Sequence, residues 1–367
     1  MNSETPYGII RHLNRFDTEE KCKDFLKEKV WDGRPTCPCC GNRHMNYYIT
    51  TRDIYKCSSC KKQFSIIQGT MFEKSKVSLV KWFQAIFFFT TMKRGISSCQ
   101  LSKMIEVHQS TAWYMLHRIR EAMASGNQGQ LSGFVEVDET SIKPHESRNR
   151  RLQFKIRKHT LEQERIHGLS QEKKRSKRGF PAQRGRKKGL TREDFEAKKR
   201  EKELLGPRQP YGHEKFVFGM AIRGGSVILK SLGNRAGAKS KESIYPLIRK
   251  HISTSSTLMT DSYSLYQQIG TEFDAHLTVN HEKTFVDGNK YTNNIECVWF
   301  HLKKMIAGTY IHISQKHIQK YLNEHTYRWN QRLNGAKSLF ENFFDMTAGV
   351  NISYNQLTSI GRENLAA

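Results

Sequence analysis

The sequence predicts an α/β protein whose largest domain is a mixed sheet with helices on its faces. A small metal-stapled ribbon and a helical segment of helix–turn–helix type precede it. Three observations carry this. Two CxxC pairs lie close together near the amino terminus, helix-type runs with serine caps follow them, and from Phe134 onward β-type and helix-type runs alternate.

Composition bounds the chemistry. A chain of 367 residues has room for two or three domains, and 37 % hydrophobic residues supply sizeable cores. The formal charge of +26 and a pI near 9.8 point to a polyanionic partner, because many Lys and Arg gain by displacing counterions from phosphates. MNSETPYGII has no apolar core of a secretory signal. The most apolar stretch, Leu79 to Met92, is too short to span a bilayer and contains Lys81 and Gln84, so it reads as a buried helix and no membrane partner is expected. Five of eight cysteines fall between Cys37 and Cys60, which suggests an intracellular metal site rather than a secreted disulfide framework. A cytoplasmic, nucleoid-associated protein is expected.

Residues 1–70 hold the ribbon, at about 33–66. Cys37 and Cys40, then Cys57 and Cys60, form two knuckles that offer four thiolates to one structural Zn²⁺. MNYYITTRDIYKC between them reads as a β-hairpin and KKQFSI as a further strand. Cys39 competes with Cys40 for one ligand position, and His44 is a weaker competitor.

Residues 71–128 read as helices. The first runs from about Val77 to Met92. Ser97-Ser98 caps a second through Ile105, and Ser110 caps a third through Met123, with EVHQ as the turn. On the third helix Ala112, Leu116 and Ile119 share a face, leaving His117, Arg118 and Arg120 to reach outward. A recognition helix in the DNA major groove would use Arg118 and Arg120 in this way.

Residues 129–345 hold the mixed sheet. FVEVDETSI is a strand carrying Asp138; KFVFGMAIRGG and SVILKSLGN form a hairpin around Gly224-Gly225; SKESIYPLIRKHI is a helix; STLMTD is a strand ending at Asp261; AHLTVN is a short strand; TNNIECVWFHLKKMI is a helix. This order is that of an RNase H-like domain. Two strand-borne aspartates and Glu296 on a helix can converge on two divalent metals, Mg²⁺ or Mn²⁺, for phosphoryl transfer. Lys303 follows Glu296 by two helical turns on the same face and would contact a phosphate or an end base. Glu136 and Glu139 flank Asp138 and are expected to point in other directions along a regular strand.

A polar segment at about 143–210 interrupts this domain. Residues 141–210 contain about 23 Lys/Arg against 9 Asp/Glu, about half of the excess charge. Arg184, Arg186, Lys187 and Lys188 in QRGRKKG are candidates for phosphate-backbone contact without sequence reading. Residues 346–367 read as a short helix or a loose tail.

The motifs resemble those of the IS1595 group of insertion sequences, the ISXO2-like transposases. CPCCG…CSSCKKQFSIIQGTMFEKSKVSL resembles that group's zinc ribbon and the linker after it. VEVDET, LMTDSYSLY, TVNHEKTFVDG and TNNIECVWFHLKK resemble its catalytic blocks in the same order, over most of residues 20–345. The resemblance implies a DDE transposase that binds the terminal inverted repeats of its element. Such an enzyme cleaves at the element ends and joins the 3′-hydroxyls to target DNA as a dimer or higher oligomer assembled on DNA. Its metal ligands would be Asp138, Asp261 and Glu296, with Lys303 as the accompanying basic residue. Some branches of the family carry asparagine as third ligand, which makes Asn293 the alternative to Glu296. His281 matches a histidine of the family, whereas Tyr291 stands where histidine is common. Two other readings stay open: a catalytically inert DNA-binding regulator descended from such an enzyme, and a nuclease of the same fold that does not join strands.

Overall fold

The structure is a computed structural model that describes residues 7–125, 129–142, 215–233, 239–279, 292–311, 313–350 and 352–359. The basic insertion with Arg184, Arg186, Lys187 and Lys188, and the His281 and Tyr291 positions, lie outside the described residues.

Two helices open the chain, α1 (Ile9–Arg15) and α2 (Glu19–Trp31). Thr18 caps α2 by accepting from the Lys21 amide, and Glu19 and Glu20 occupy its first turn, where the helix dipole favours acids. The ribbon follows as an antiparallel sheet in the order β1 (Asn46–Ile49), β2 (Ile54–Cys57), β3 (Gln63–Phe64), as its sequence predicts. Trp31 closes it from α2, lying edge-on to Tyr55 at 5.3 Å and Phe64 at 5.7 Å.

Helix α3 (Leu79–Thr91) starts two residues later than expected, because the Ser78 hydroxyl accepts from the Lys81 amide and fixes the start there. It buries Leu79, Trp82, Phe83, Ile86, Phe87 and Phe89. Ser97 caps α4 (Ser98–Met104), as expected. Helix α5 (Gln109–Ser125) begins one residue before Ser110, whose amide and hydroxyl both bond the His108 ring.

One apolar core runs from α1 through the ribbon to α5. It also takes in Phe340 and Phe343 from α10 (Ala336–Phe343), together with the following Phe344. Phe83 lies 5.6 Å from Phe340 and 4.9 Å from Phe344. The end of the expected sheet domain therefore folds into the amino-terminal core.

The second sheet has the order β6-β5-β4-β7-β8, made of β4 (Phe134–Ile142), β5 (Lys215–Ile222), β6 (Val227–Gly233), β7 (Thr257–Asp261) and β8 (Ala275–Val279). β4, β5 and β6 pair antiparallel, with Gly224 at φ +65° in the β5–β6 turn where a side chain would be strained. β7 and β8 add parallel to β4. Side chains alternate across the sheet. Val135, Val137 and Phe218 face α6 (Lys241–His251) and α7 (Leu265–Gly270). Val217, Ala221 and Leu229 face α8 (Asn293–Met305) and α9 (Ile318–Asn330). A π-helical turn, Ile306–Tyr310, follows α8, and a last short helix, α11 (Tyr354–Ser359), ends the described chain.

Candidate active site and zinc centre

The cysteine cluster forms first from local chain geometry. Cys37, Cys40, Cys57 and Cys60 bring their sulfurs within 4.8 Å of one another, with Cys37–Cys60 at 3.6 Å and Cys40–Cys57 at 3.5 Å. Tetrahedral zinc with bonds of about 2.3 Å needs sulfurs about 3.8 Å apart, so the four thiols fit a structural ion. Cys39 is exposed and meets Lys62 instead, and the His44 ring is not part of the cluster. Of the two competing cysteines, Cys40 is the one that joins the cluster.

In the larger sheet, β4 and β7 run parallel with Glu136 opposite Met259. Asp138 and Asp261 each lie two residues beyond that pair, on the same face of neighbouring strands, and the Asp261 charge reaches Asp138. Burial pushes the Asp138 carboxyl up to about 6; the Trp299 hydrogen bond opposes this, and the charges of Glu139 and Asp261 add to it. The indole Nε1 of Trp299 donates to Asp138 Oδ2 at 2.8 Å. Trp299 reaches that position because Gly219, the ladder partner of Asp138, has no side chain: a Cβ there would lie 2.5 Å from the indole. Asp261 Oδ1 accepts from the Tyr263 amide at 3.1 Å, which turns the chain after β7.

Glu136 departs from expectation. Two residues before Asp138, it lies on the same face rather than another, and it is fully buried. Its carboxylate accepts from the Asn294 amide at 2.9 Å, the Asn294 side chain at 2.8 Å and the Ile295 amide at 3.1 Å, and pairs with Arg223 at 3.2 Å. An acid at the amino end of α8 satisfies orphan amides and suits the helix dipole. Glu139 does point away, to the Tyr266 hydroxyl and to Lys239.

Glu296, Asn293 and Lys303 are all exposed on α8. At about 100° per residue, Glu296 and Lys303 lie within about 20° of each other and flank Trp299, while Asn293 is turned about 60° further toward solvent. The Thr292 hydroxyl reaches Glu296 Oε1 at 3.4 Å. Asp138, Asp261 and Glu296 do not all come within 4.8 Å of one another: among the described residues, only the four cysteines bring three or more such ligand atoms that close.

The outward-reaching arginines are a correction. Arg118 is 3 % exposed, donates to the Glu73 carbonyl at 2.8 Å and lies 5.3 Å over the Tyr114 ring. Arg120 is 1 % exposed and pairs with Glu324 of α9 at 2.8 Å; Glu324 also pairs with Arg328 at 2.8 Å and accepts from Tyr310 at 2.6 Å. His117 is buried as well. From Met115 onward α5 packs against α9 on one side and its own core on the other, so its outer face closes. The helical pair instead exposes the start of α5, at His108, Gln109 and Ser110, with Lys103 on α4.

Sequence motifs did not single out Trp299, Arg223 or Glu324. Glu136 was detectable: strand period two sets it on the face of Asp138.

Residues 17–63 match the transposase zinc-ribbon domain, and residues 185–330 match the ISXO2-like transposase domain of the IS1595 family. The second range contains Asp261, Asn293, Glu296 and Lys303, whereas Asp138 lies before it. A protein from transposable element ISH50 of Halobacterium salinarum, itself uncharacterised, is 30 % identical over 135 residues, covering 36 % of this chain and 44 % of the relative. The chain thus spans less than half the length of that relative. No described helix is long and apolar enough to cross a membrane. Both matches fall in the order that the motifs set, so the chain is similar to the ISXO2-like transposases of the IS1595 family in its ribbon and in residues 185–330.

Proposed function

We propose that the protein is a DNA transposase that binds the terminal inverted repeats of its element, cleaves at the ends and joins the 3′-hydroxyls to target DNA. The observation that carries this reading is that Asp138 and Asp261 lie on adjacent parallel strands of a sheet in the order β6-β5-β4-β7-β8, near enough for the Asp261 charge to help raise the Asp138 carboxyl.

Two half-buried carboxylates on neighbouring strands repel each other, and a divalent cation with its preference for oxygen ligands relieves that repulsion. Asp138 and Asp261 would hold Mg²⁺ or Mn²⁺, with Glu296 as third ligand in preference to the more outward Asn293. Bound metal would lower the pKa of the attacking water or 3′-hydroxyl and stabilise the leaving oxygen. Trp299 orients Asp138, Glu136 anchors the start of the helix that carries Glu296, and Lys303 approaches a DNA phosphate.

The ribbon and the exposed start of α5 would hold the end sequence. Arg118 and Arg120 build the support behind them. Joining two ends to one target requires at least two active sites, so the working form is an oligomer on DNA.

The test uses the DNA that flanks this protein's own gene. Wild type nicks at the element ends only with Mg²⁺ or Mn²⁺, and the Asp261→Asn protein binds the same DNA without nicking. Equal nicking by Asp261→Asn would refute the assignment.

A further inference from the structure

A cavity of about 460 Å³ opens between the end of α3, the outer side of α8 and the α9–α10 connection. Its size falls in the range of about 300–1,000 Å³ that small ligands occupy. Its wall is cationic: Lys93 and Arg94 come from the end of α3, Lys304 and His301 from α8, and Arg332 from beyond α9. Among the described residues, none of Lys93, Arg94 and Lys304 has a carboxylate within ion-pair distance; Lys304 lies only over the Phe300 ring, at 5.4 Å. Charges left without partners around a concavity favour an anion.

The same wall carries aromatic surface. Trp329 is half-buried there, with the His301 ring 5.9 Å away and the Arg332 guanidinium 4.9 Å over its ring. Arg332 is itself fixed, donating to the carbonyls of Gly224 at 2.9 Å and Gly225 at 3.2 Å. Cations together with an aromatic platform are what single-stranded nucleic acid requires: the former for phosphate, the latter for stacking a base. A concavity of this size admits one nucleotide and not a duplex.

Location gives the cavity a purpose. Lys304 lies eight residues after Glu296 on α8, an axial rise of about 12 Å. At about 3.4 Å per nucleotide of a stacked strand, that is three to four nucleotides from the carboxylates. We propose that this cavity holds one unpaired nucleotide of the DNA strand being processed, a few positions from the cut. This rests on the transposase reading for the identity of the strand, and on the cavity alone for the class of ligand.

The test needs no cleavage. Binding of a fluorescein-labelled oligothymidylate and of a duplex of the same length is measured by anisotropy across a salt series. The proteins are wild type, Arg94→Glu, Lys304→Glu and a control, Lys241→Glu, which reverses an exposed charge on α6. Arg94→Glu and Lys304→Glu should each weaken oligothymidylate binding about tenfold relative to the control and lower the salt slope by about 0.7 per lost phosphate contact, with duplex binding matching the control. Oligothymidylate should quench tryptophan fluorescence in wild type, and Trp329→Phe, which keeps a packed ring, should lose most of that quenching. Cavity variants that bind oligothymidylate as the control does, or quenching that survives in Trp329→Phe, would overturn the proposal. Oligothymidylate capture without metal-dependent cleavage of element ends would overturn the transposase reading and leave the subsite standing.

Discussion

The Trp299 indole donates to Asp138 at 2.8 Å, so the helix that bears Glu296 and the strand that bears Asp138 are tied together by the aspartate itself. Trp299→Phe keeps the ring over Gly219 and removes only the donor. Groups that orient a metal ligand are worth about 10- to 100-fold in activity or affinity. Trp299→Phe should therefore retain its melting temperature to within a few degrees and lose about tenfold in metal-dependent cleavage, measured at saturating and limiting Mn²⁺. A larger deficit at limiting metal identifies orientation of the ligand as the cause.

Glu136 anchors the same helix at its start. Glu136→Ala leaves the Asn294 and Ile295 amides and the Arg223 guanidinium without their carboxylate. Losing one side of a buried charged pair costs about 3–5 kcal/mol. Denaturant unfolding should register a loss of that order, and Glu136→Gln, which keeps an acceptor, should lose less.

Arg120 and Glu324 form a buried pair between α5 and α9, both almost inaccessible to water. Burial alone would push the Glu324 carboxyl up, but Arg120 and Arg328 outweigh it and hold it low. Gly95 packs here without a side chain because a Cβ would strike Tyr310 and Glu324. Arg120→Ala should destabilise the fold by about 3–5 kcal/mol. Its DNA affinity, measured well below its melting temperature, should stay near that of wild type. A selective loss of DNA binding in a stably folded Arg120→Ala would restore the recognition role.

Zinc content should be one ion per chain by metal analysis. Cys57→Ser should lose it, together with binding to element ends, because the ribbon strands and Trp31 pack around the cluster. Undiminished end binding by Cys57→Ser would remove the ribbon from end recognition.

Acid should unfold the protein through its buried histidines. Burial lowers His12, His317 and His325 to about 4 and His117 to about 2. Their unfolded value is near 6.5, so below it the unfolded chain binds more protons than the folded one, and stability falls as pH falls from 6.5 toward 4. Asp138, raised to about 6, works the other way between about 4 and 6, as one group against four. Denaturant unfolding at pH 7 and pH 5 should differ by several kcal/mol, on the order of 1–2 for each histidine.

Much of this architecture was legible because its signals are local. Cysteine spacing gave the ribbon, the Ser97 cap gave the start of α4, and strand period gave the sheet and the strands that carry Asp138 and Asp261. Helices α1, α2 and α10 carry no chemical motif, and their assignment depends on a shared aromatic core whose members are more than 200 residues apart. Arg118 and Arg120 misled for the same reason. On an isolated α5 they face outward, and only the return of α9 across that face turns Arg120 into an interior ion pair. Trp299 looked like core packing on its own helix. Its role appears only when Gly219, 80 residues earlier in sequence, leaves room for it beside Asp138.

The central claim is that Asp138 and Asp261 act together as metal ligands, and Mn²⁺ binding followed by electron paramagnetic resonance tests it most directly. Wild type with its zinc retained should bind up to two Mn²⁺ per chain in the presence of element-end DNA, and Asp138→Asn and Asp261→Asn should each abolish most of that binding without releasing zinc. Unchanged Mn²⁺ binding in either variant would contradict the account.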